Sequence, residues 1–423
     1  MSNKNKNKPK QRIHDTKGSV SNKEAQEKTV QTASKPSESK PVNITEPVTL
    51  TFNATDTLFF RESRPMESMG ELQSVFPPPV RTLAGAVRSL IGESMGVTWR
   101  DYENDESHPL RHIIGFSDQL GNLKLQGAWL AWNNERLYPA PLHLMKQDNG
   151  QLCSLTLDKT GTWCDLGKKV RLPILPKEAA GSKPLENTWL TAAGLQAVLN
   201  GNIPTKEQIK TANKLFQRES RLGIARDNAR RTVEEGMLYQ TQHIRPHTEL
   251  SVQLDVEGLP KEMPQKAIIR LGGEGRTASV QAQSRVNAPP NIVDNTKTKG
   301  LLLYLLTPLP MQTTGKAWQP LPGFTREERD NQTVWIGKVN DIELELHGAI
   351  TGKALREGGW DMANHQPRPV TSLIPAGSVF FCTIKNSNTA AAIKALHNQH
   401  IQQIGTHLTA YGYGHLAVGI WHD

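Results

Sequence analysis

Hydrophobic and polar positions divide the chain into a polar leader and a long patterned body. Residues 1–45 carry almost no large apolar side chain. Such a segment buries too little surface to offset the entropy of ordering it, and is expected to be a disordered tail. From Pro47 onward short alternating runs take over, the period of a half-buried strand. Strands are predicted at 48–52, 123–132, 136–140, 267–270, 301–307, 342–350 and 378–384. Residues 237–243 and 249–256 are predicted as two antiparallel strands. Helical spacing appears in three places. Leu83, Val87, Leu90 and Ile91 form one apolar stripe, with Thr82 as the expected cap of a helix running to about Ser94. Lys206, Lys210, Lys214 and Arg218 recur every four residues, which predicts a helix over 205–222 with a basic face. An alanine-rich helix is predicted over 388–403. Strands group together more than they alternate with helices, so the fold class is α+β.

Three segments carry candidate chemistry. Gly272-Gly273-Glu274-Gly275-Arg276 follows a short strand, and glycines there let backbone amides approach a phosphate or sugar. No Lys-Ser/Thr follows, so this is not a Walker loop. Tyr411-Gly412-Tyr413-Gly414 pairs glycines with aromatic rings suited to stacking on bases. Arg61, Arg64, Arg81 and Arg88 surround the stiff Phe76-Pro77-Pro78-Pro79 segment, a sensible phosphate clamp. Gly85, inside the first predicted helix, costs stability relative to alanine and suggests a close backbone approach.

Charge sharpens this picture. The 423 residues carry a net charge of +9. Ten Lys and Arg against four Asp and Glu lie in residues 1–45, and 40 against 37 in the remaining 378. The body is nearly neutral, so a basic surface on it must be local. Its apolar runs are far shorter than the roughly 20 residues of a membrane helix, and the leader has no apolar signal core. Three cysteines, Cys153, Cys164 and Cys382, form no metal-ligand series and suit a reducing, cytoplasmic setting. Neither a metal nor a cofactor is expected.

The run from Asp56 to Pro65, then Phe76-Pro77-Pro78-Pro79 and Thr82-Leu83-Ala84-Gly85-Ala86-Val87-Arg88, resembles the opening of the Cmr subunit-three family. These are RAMP-superfamily proteins of type III-B CRISPR effector complexes. The likeness continues in Arg221-Leu222-Gly223-Ile224, in Glu235-Gly236-Met237-Leu238-Tyr239 and in the Gly272 segment. It extends through Gly358-Gly359-Trp360-Asp361, Arg368-Pro369, residues 375–379 and the Tyr411 segment, in order over about residues 47–421.

The resemblance implies two ferredoxin-like, RRM-related domains with inserted hairpins, expected at 46–204 and 205–423 behind the basic tail 1–45. It implies a non-catalytic subunit that holds the 5′ tag of the guide crRNA. Its expected partners are the large polymerase/cyclase-like subunit and the backbone RAMP subunits, with target RNA met indirectly and no membrane. The tag-binding candidates are then Arg61, Arg64, Arg81, Arg88, Gly272, Gly273, Gly275, Arg276, Tyr411, Gly412, Tyr413 and Gly414. A second reading is a RAMP-type endoribonuclease that processes repeat RNA with a histidine such as His243 or His415 as general acid/base.

Overall fold

The computed structural model describes residues 46–63, 71–227, 229–230, 232–285, 288–292, 300–311, 319–329, 331–385 and 388–422. The expected tail 1–45 and Arg64 lie outside the described residues.

Two antiparallel sheets build the body. The first uses β1 (Val48–Ala54), β2 (Lys124–Trp132), β3 (Glu135–Pro139), β4 (Thr188–Leu190) and β5 (Ile209–Thr211). A long hairpin, β6 (Phe216–Asp227) and β7 (Thr232–Pro246), follows. The chain then returns to the first sheet with β8 (Leu250–Glu257), β9 (Lys266–Arg270) and β10 (Thr277–Ser284). The spatial order is β5-β4-β3-β2-β8-β1-β10-β9. The division expected at 204/205 therefore passes between strands of one sheet.

The second sheet contains β11 (Gly300–Leu305), β12 (Thr325–Arg329), β13 (Gln332–Val339), β14 (Ile342–Ile350), β15 (Val379–Ile384), β16 (Gln399–His400) and β17 (His415–Ile420). Its order is β12-β13-β14-β15-β11-β17-β16.

Strand alternation does different work on the two faces of the first sheet. Leu50 and Phe52 of β1 and Leu254 and Val256 of β8 are buried in one core with Leu83, Val87 and Ile91 of α1 (Val80–Ser94). Thr49, Ser251, Gln253 and Asp255 point to the opposite face and are buried as well. That face is a buried polar layer, and its groups must find partners inside the protein. Arg136 of β3 spans β2 to place its Nη1 and Nη2 at 2.8 and 2.7 Å from the two carboxylate oxygens of Asp255. Thr49 donates its hydroxyl to the same carboxylate at 2.6 Å.

The sheets meet where β2 approaches the loop before β17. Gln126 lies 2.8 Å from Nε2 of His415, and the Tyr304 hydroxyl donates to the Pro139 carbonyl. His415 and His400 are tilted together with ring centroids 5.0 Å apart. Burial holds His415 well below the usual imidazole range, helped by neighbouring His400 and His397. Burial alone lowers His143 to about 4.

An acid-dependent loss of stability follows. A depressed imidazole contributes stability fully above the unfolded pKa of about 6.5 and loses it as pH falls toward the folded value. At about pH 5 the loss from His143 alone approaches about 2 kcal/mol, at roughly 1.4 kcal/mol per pH unit. Urea midpoints measured between about pH 7.5 and 5 should fall accordingly. His143→Leu should flatten the curve; an unchanged slope in that variant would show that His143 titrates normally.

One predicted element is replaced. Residues 205–222 form β5, a single helical turn at Ala212–Leu215 and the start of β6. The four cations do not share a helix face: Lys210 sits over Trp132 at 5.9 Å, and Arg218 donates to the Ser74 carbonyl at 3.1 Å. The spacing of four was coincident with the lysines. Pairing of 216–227 with the distant strand 232–246 decides the conformation instead. Similarly, 237–243 and 249–256 are strands but do not pair with each other. β7 pairs with β6, whereas β8 pairs with β1 and β2. The alanine-rich helix is shorter than expected and spans Thr389–Leu396.

Candidate nucleic-acid interface

Helix α1 organises the site. Its apolar stripe Leu83, Val87, Leu90 and Ile91 is buried as the pattern predicts. The helix starts at Val80, directly after Pro79, and Thr82 lies inside it rather than capping it. Proline at the cap removes an amide that would have no intrahelical partner. The face turned away from the core carries Arg81, Gly85, Arg88 and Ser89.

Two depressions flank that face. A cleft of about 1420 Å³ runs past Arg61, Arg81, Gly85, Arg88, Tyr411 and Tyr413. A groove of about 320 Å³ is shared by Phe59, Arg61, Arg81, Gly85, Arg270 and Gly272–Gly273. Thus α1 brings together residues from all three sequence segments. A Cβ added at Gly85 would meet nothing within 4 Å, so no neighbour in the described chain requires glycine there.

The individual arginines have different environments. Arg61 is exposed and lines both depressions. Arg81 is held from three sides: Asp118 at 3.2 Å, Glu357 at 3.7 Å and the Tyr411 ring at 4.6 Å. Glu357 is pushed upward by burial, against the opposing pull of the Tyr413 hydroxyl, which donates to it, and of Arg81. Arg368 pairs with Asp118 on the same cleft wall. Arg88 serves the fold, donating to the Gly115 and Ser117 carbonyls at 3.0 Å each. Those bonds tie α1 to the loop after α2 (Leu110–Ile114) and leave less of Arg88 for a ligand.

The glycine segments also separate. At the β9–β10 turn, Gly273 donates its amide to the Phe59 carbonyl at 2.8 Å, and Arg276 donates its amide to the Gly273 carbonyl at 3.2 Å. Gly272 has φ +85°, and a Cβ there would lie 2.4 Å from the Phe59 carbonyl oxygen. Gly275 faces open space. Arg276 reaches back to Asp56 at 3.3 Å. Tyr411, Gly412, Tyr413 and Gly414 are all buried. The Gly412 and Gly414 amides donate to the Thr409 and Pro308 carbonyls at 2.9 Å each. Those amides are committed within the protein. Tyr411 and Tyr413 instead form cleft wall behind Arg81 and Glu357.

Sequence reasoning met Asp56, Arg221 and Arg368 only inside the family-like segments, without a site role, and passed over Arg245, Asp118 and Glu357. None lies in a local motif for ion pairing. The alternation Glu219-x-Arg221 on a strand was the available signal, and the helical reading of 205–222 hid it. The two histidines of the nuclease reading are sealed in. His243 is 1% exposed, beside the Thr57 hydroxyl at 3.0 Å and stacked on Phe59 at 5.0 Å. His415 is fully buried.

A family model described as CRISPR-associated protein (Cas_Cmr3) matches residues 50–421. Among solved structures, a chain of type III-B Cmr-beta bound to cognate target RNA and AMPPnP aligns at 14% identity. That alignment covers 88% of this chain and 98% of the other, with a TM-score of 0.47. A chain of type III-B Cmr-beta bound to cognate target RNA aligns at 15% identity, 87% and 96% coverage and TM-score 0.45. A chain of the Csm3-Csm4 subcomplex of the type III-A CRISPR-Cas interference complex aligns at 11% identity, 81% and 93% coverage and TM-score 0.36. Comparison with curated protein sequences finds no match.

Proposed function

The chain belongs to the Cas_Cmr3 family of CRISPR-associated proteins, and from that membership we propose that it is the non-catalytic subunit of a type III-B effector complex that holds the 5′ tag of the guide RNA. In this reading it docks on the large polymerase-like subunit and beside the backbone subunits. The observation that carries the proposal is the convergence on α1. Arg61, Arg81 and Gly85 line both the cleft and the groove, next to the Gly272–Gly273 turn and the Tyr411–Tyr413 wall. A single strand needs such a track of cations with close backbone approach, and a nearly neutral body supplies it in one place.

The strand order supports two ferredoxin-like halves. Four strands of the first sheet lie as β2-β8-β1-β10 and four of the second as β14-β15-β11-β17. In each the spatial order is second, third, first, fourth. The division then falls between β10 and β11. The burial of His243 and His415 favours binding over RNA cleavage, because a general acid/base must reach the proton it moves.

The test is co-expression with neighbouring complex subunits and a CRISPR array, followed by purification and 5′-end sequencing of bound RNA. Guides sharing one 5′ tag, crosslinked to this chain near Arg61–Arg88 or Gly272–Arg276, are expected. RNA absent from this chain, or cut repeat RNA released as product, overturns the reading. Arg61→Ala should weaken binding of tag RNA about three- to tenfold at low salt and reduce the slope of log affinity against log salt by about 0.7–1. Equal affinity and slope in titrations of wild type and variant would remove Arg61 from the interface.

A further inference from the structure

Beyond the groove, at the root of the β6–β7 hairpin, five charged side chains form a cluster of which the tag-holding reading uses only Arg276. Asp56 follows β1, Glu219 and Arg221 lie on β6, Arg245 on β7, and Arg276 directly precedes β10. One carboxylate, that of Asp56, faces three guanidiniums: Arg245 at 3.0 Å, Arg221 at 3.1 Å and Arg276 at 3.3 Å. Glu219 takes Arg245 at 2.5 Å and Arg221 at 2.8 Å. Register explains the assembly. Glu219 pairs with His243 and Arg221 with Thr241, so both side chains share the hairpin face turned toward Asp56.

The cluster has more donors than acceptors. Three guanidiniums bring about fifteen N–H groups, and two carboxylates offer about eight lone-pair sites. Three positive charges stand against two negative ones, and the Nε of Arg276 is buried with no hydrogen-bond partner among the described residues. Yet the group is open to water: the side chains of Asp56 and Arg245 are 46% and 43% exposed. A structural ion-pair knot gains little from such exposure. Planar guanidiniums already fanned around one oxyanion are instead suited to a second one, because their rotamer entropy has been lost beforehand.

We propose that Asp56, Arg221, Arg245 and Arg276 form a phosphodiester seat for single-stranded RNA, which Asp56 occupies until an RNA phosphate displaces it. This rests on the tag-holding reading and extends it. The Gly272–Gly273 turn of the groove runs directly into Arg276, so a strand leaving the groove along that turn meets the seat next. Asp56 makes the seat selective: a lone anion must compete with a tethered carboxylate, whereas a strand already held in the groove presents its phosphate at high effective concentration.

The sign of the Asp56 variant separates the seat from a structural knot. In filter binding of the full chain to a tag-sequence RNA at about 50 mM salt, Asp56→Asn should bind about three- to tenfold tighter than wild type, because one competing charge is gone. Arg245→Ala should bind weaker by a similar factor, and the double variant should return near wild type. Screening should erase the Asp56→Asn gain by about 300 mM salt. Glu219→Gln, which leaves Asp56 in place, should move affinity in the same direction as Asp56→Asn and covers the case in which Asp56→Asn fails to fold.

If wild type binds RNA and neither carboxylate variant tightens it, the seat is refuted while the groove reading stands. A change confined to the melting temperature, or to docking of a neighbouring subunit, refutes it equally. If wild type binds no RNA in any assembly, the tag-holding reading itself fails.

Discussion

Asp255→Ala is expected to destabilise the protein by about 3–5 kcal/mol, the cost of leaving one member of a buried ion pair without its partner. Arg136 and Asp255 each have side chains only 4% exposed. Their two hydrogen bonds, 2.8 and 2.7 Å, are bidentate. Arg136 also lies over the Trp129 ring at 5.2 Å, and its Nε points to the Gln253 amide oxygen at 3.4 Å. Without Asp255 the guanidinium keeps its charge, because arginine does not deprotonate in proteins. The Thr49 hydroxyl loses its acceptor as well. The double variant Arg136→Leu/Asp255→Leu should cost much less than Asp255→Ala, since it removes the stranded charge. Urea denaturation of the three proteins makes the comparison. A loss below about 1 kcal/mol in Asp255→Ala would mean that water reaches the polar layer and solvates Arg136.

This layer also shows which features were legible in the sequence. Leu83, Val87, Leu90 and Ile91 announce the buried face of α1, because helical packing repeats locally. Residues 48–52 announce a strand by alternation. That alternation does not say that the polar side is buried too; Thr49 and Asp255 look like solvent-facing positions until Arg136 arrives from another strand. The same limit governs the site. Arg61, Arg81 and the Gly272 turn were identifiable from local composition, and α1 brings them together. Asp56, Arg221 and Arg245 depend on hairpin register and on a loop some 165 residues away in sequence, which no local spacing encodes. The lysine repeat at 206–218 failed for the complementary reason. Exposed charges constrain secondary structure weakly, and pairing with 232–246 outweighed their helical spacing. The glycines of the Tyr411 segment signalled unusual backbone correctly, since Gly412 and Gly414 both have positive φ.

Gly412→Ala is therefore expected to lower stability by about 2–4 kcal/mol, combining left-handed backbone strain of about 1–2 kcal/mol with overpacking. Gly412 has φ +84°, and a Cβ there would sit 2.6 Å from the Leu125 carbonyl oxygen and 3.1 Å from the Gln126 Cα. Those are backbone atoms of β2, which cannot turn aside as a flexible side chain would. The Thr307 hydroxyl, which donates to the Gly412 carbonyl at 2.7 Å, fixes the turn from the other side. Relief of the clash must move the segment off β2, and Tyr411 and Tyr413 move with it. Arg81 then loses the ring beneath it and Glu357 loses the hydroxyl that donates to it, so RNA affinity should fall as a secondary effect. Gly275→Ala isolates strain from clash: with φ +65° and open space around it, it should cost only about 1 kcal/mol. Thermal unfolding and RNA titration on the same preparations decide the matter. If Gly412→Ala melted like wild type and still lost RNA, the backbone of this turn would be touching the RNA itself; a loss of both together means that the turn works by holding the cleft wall in place.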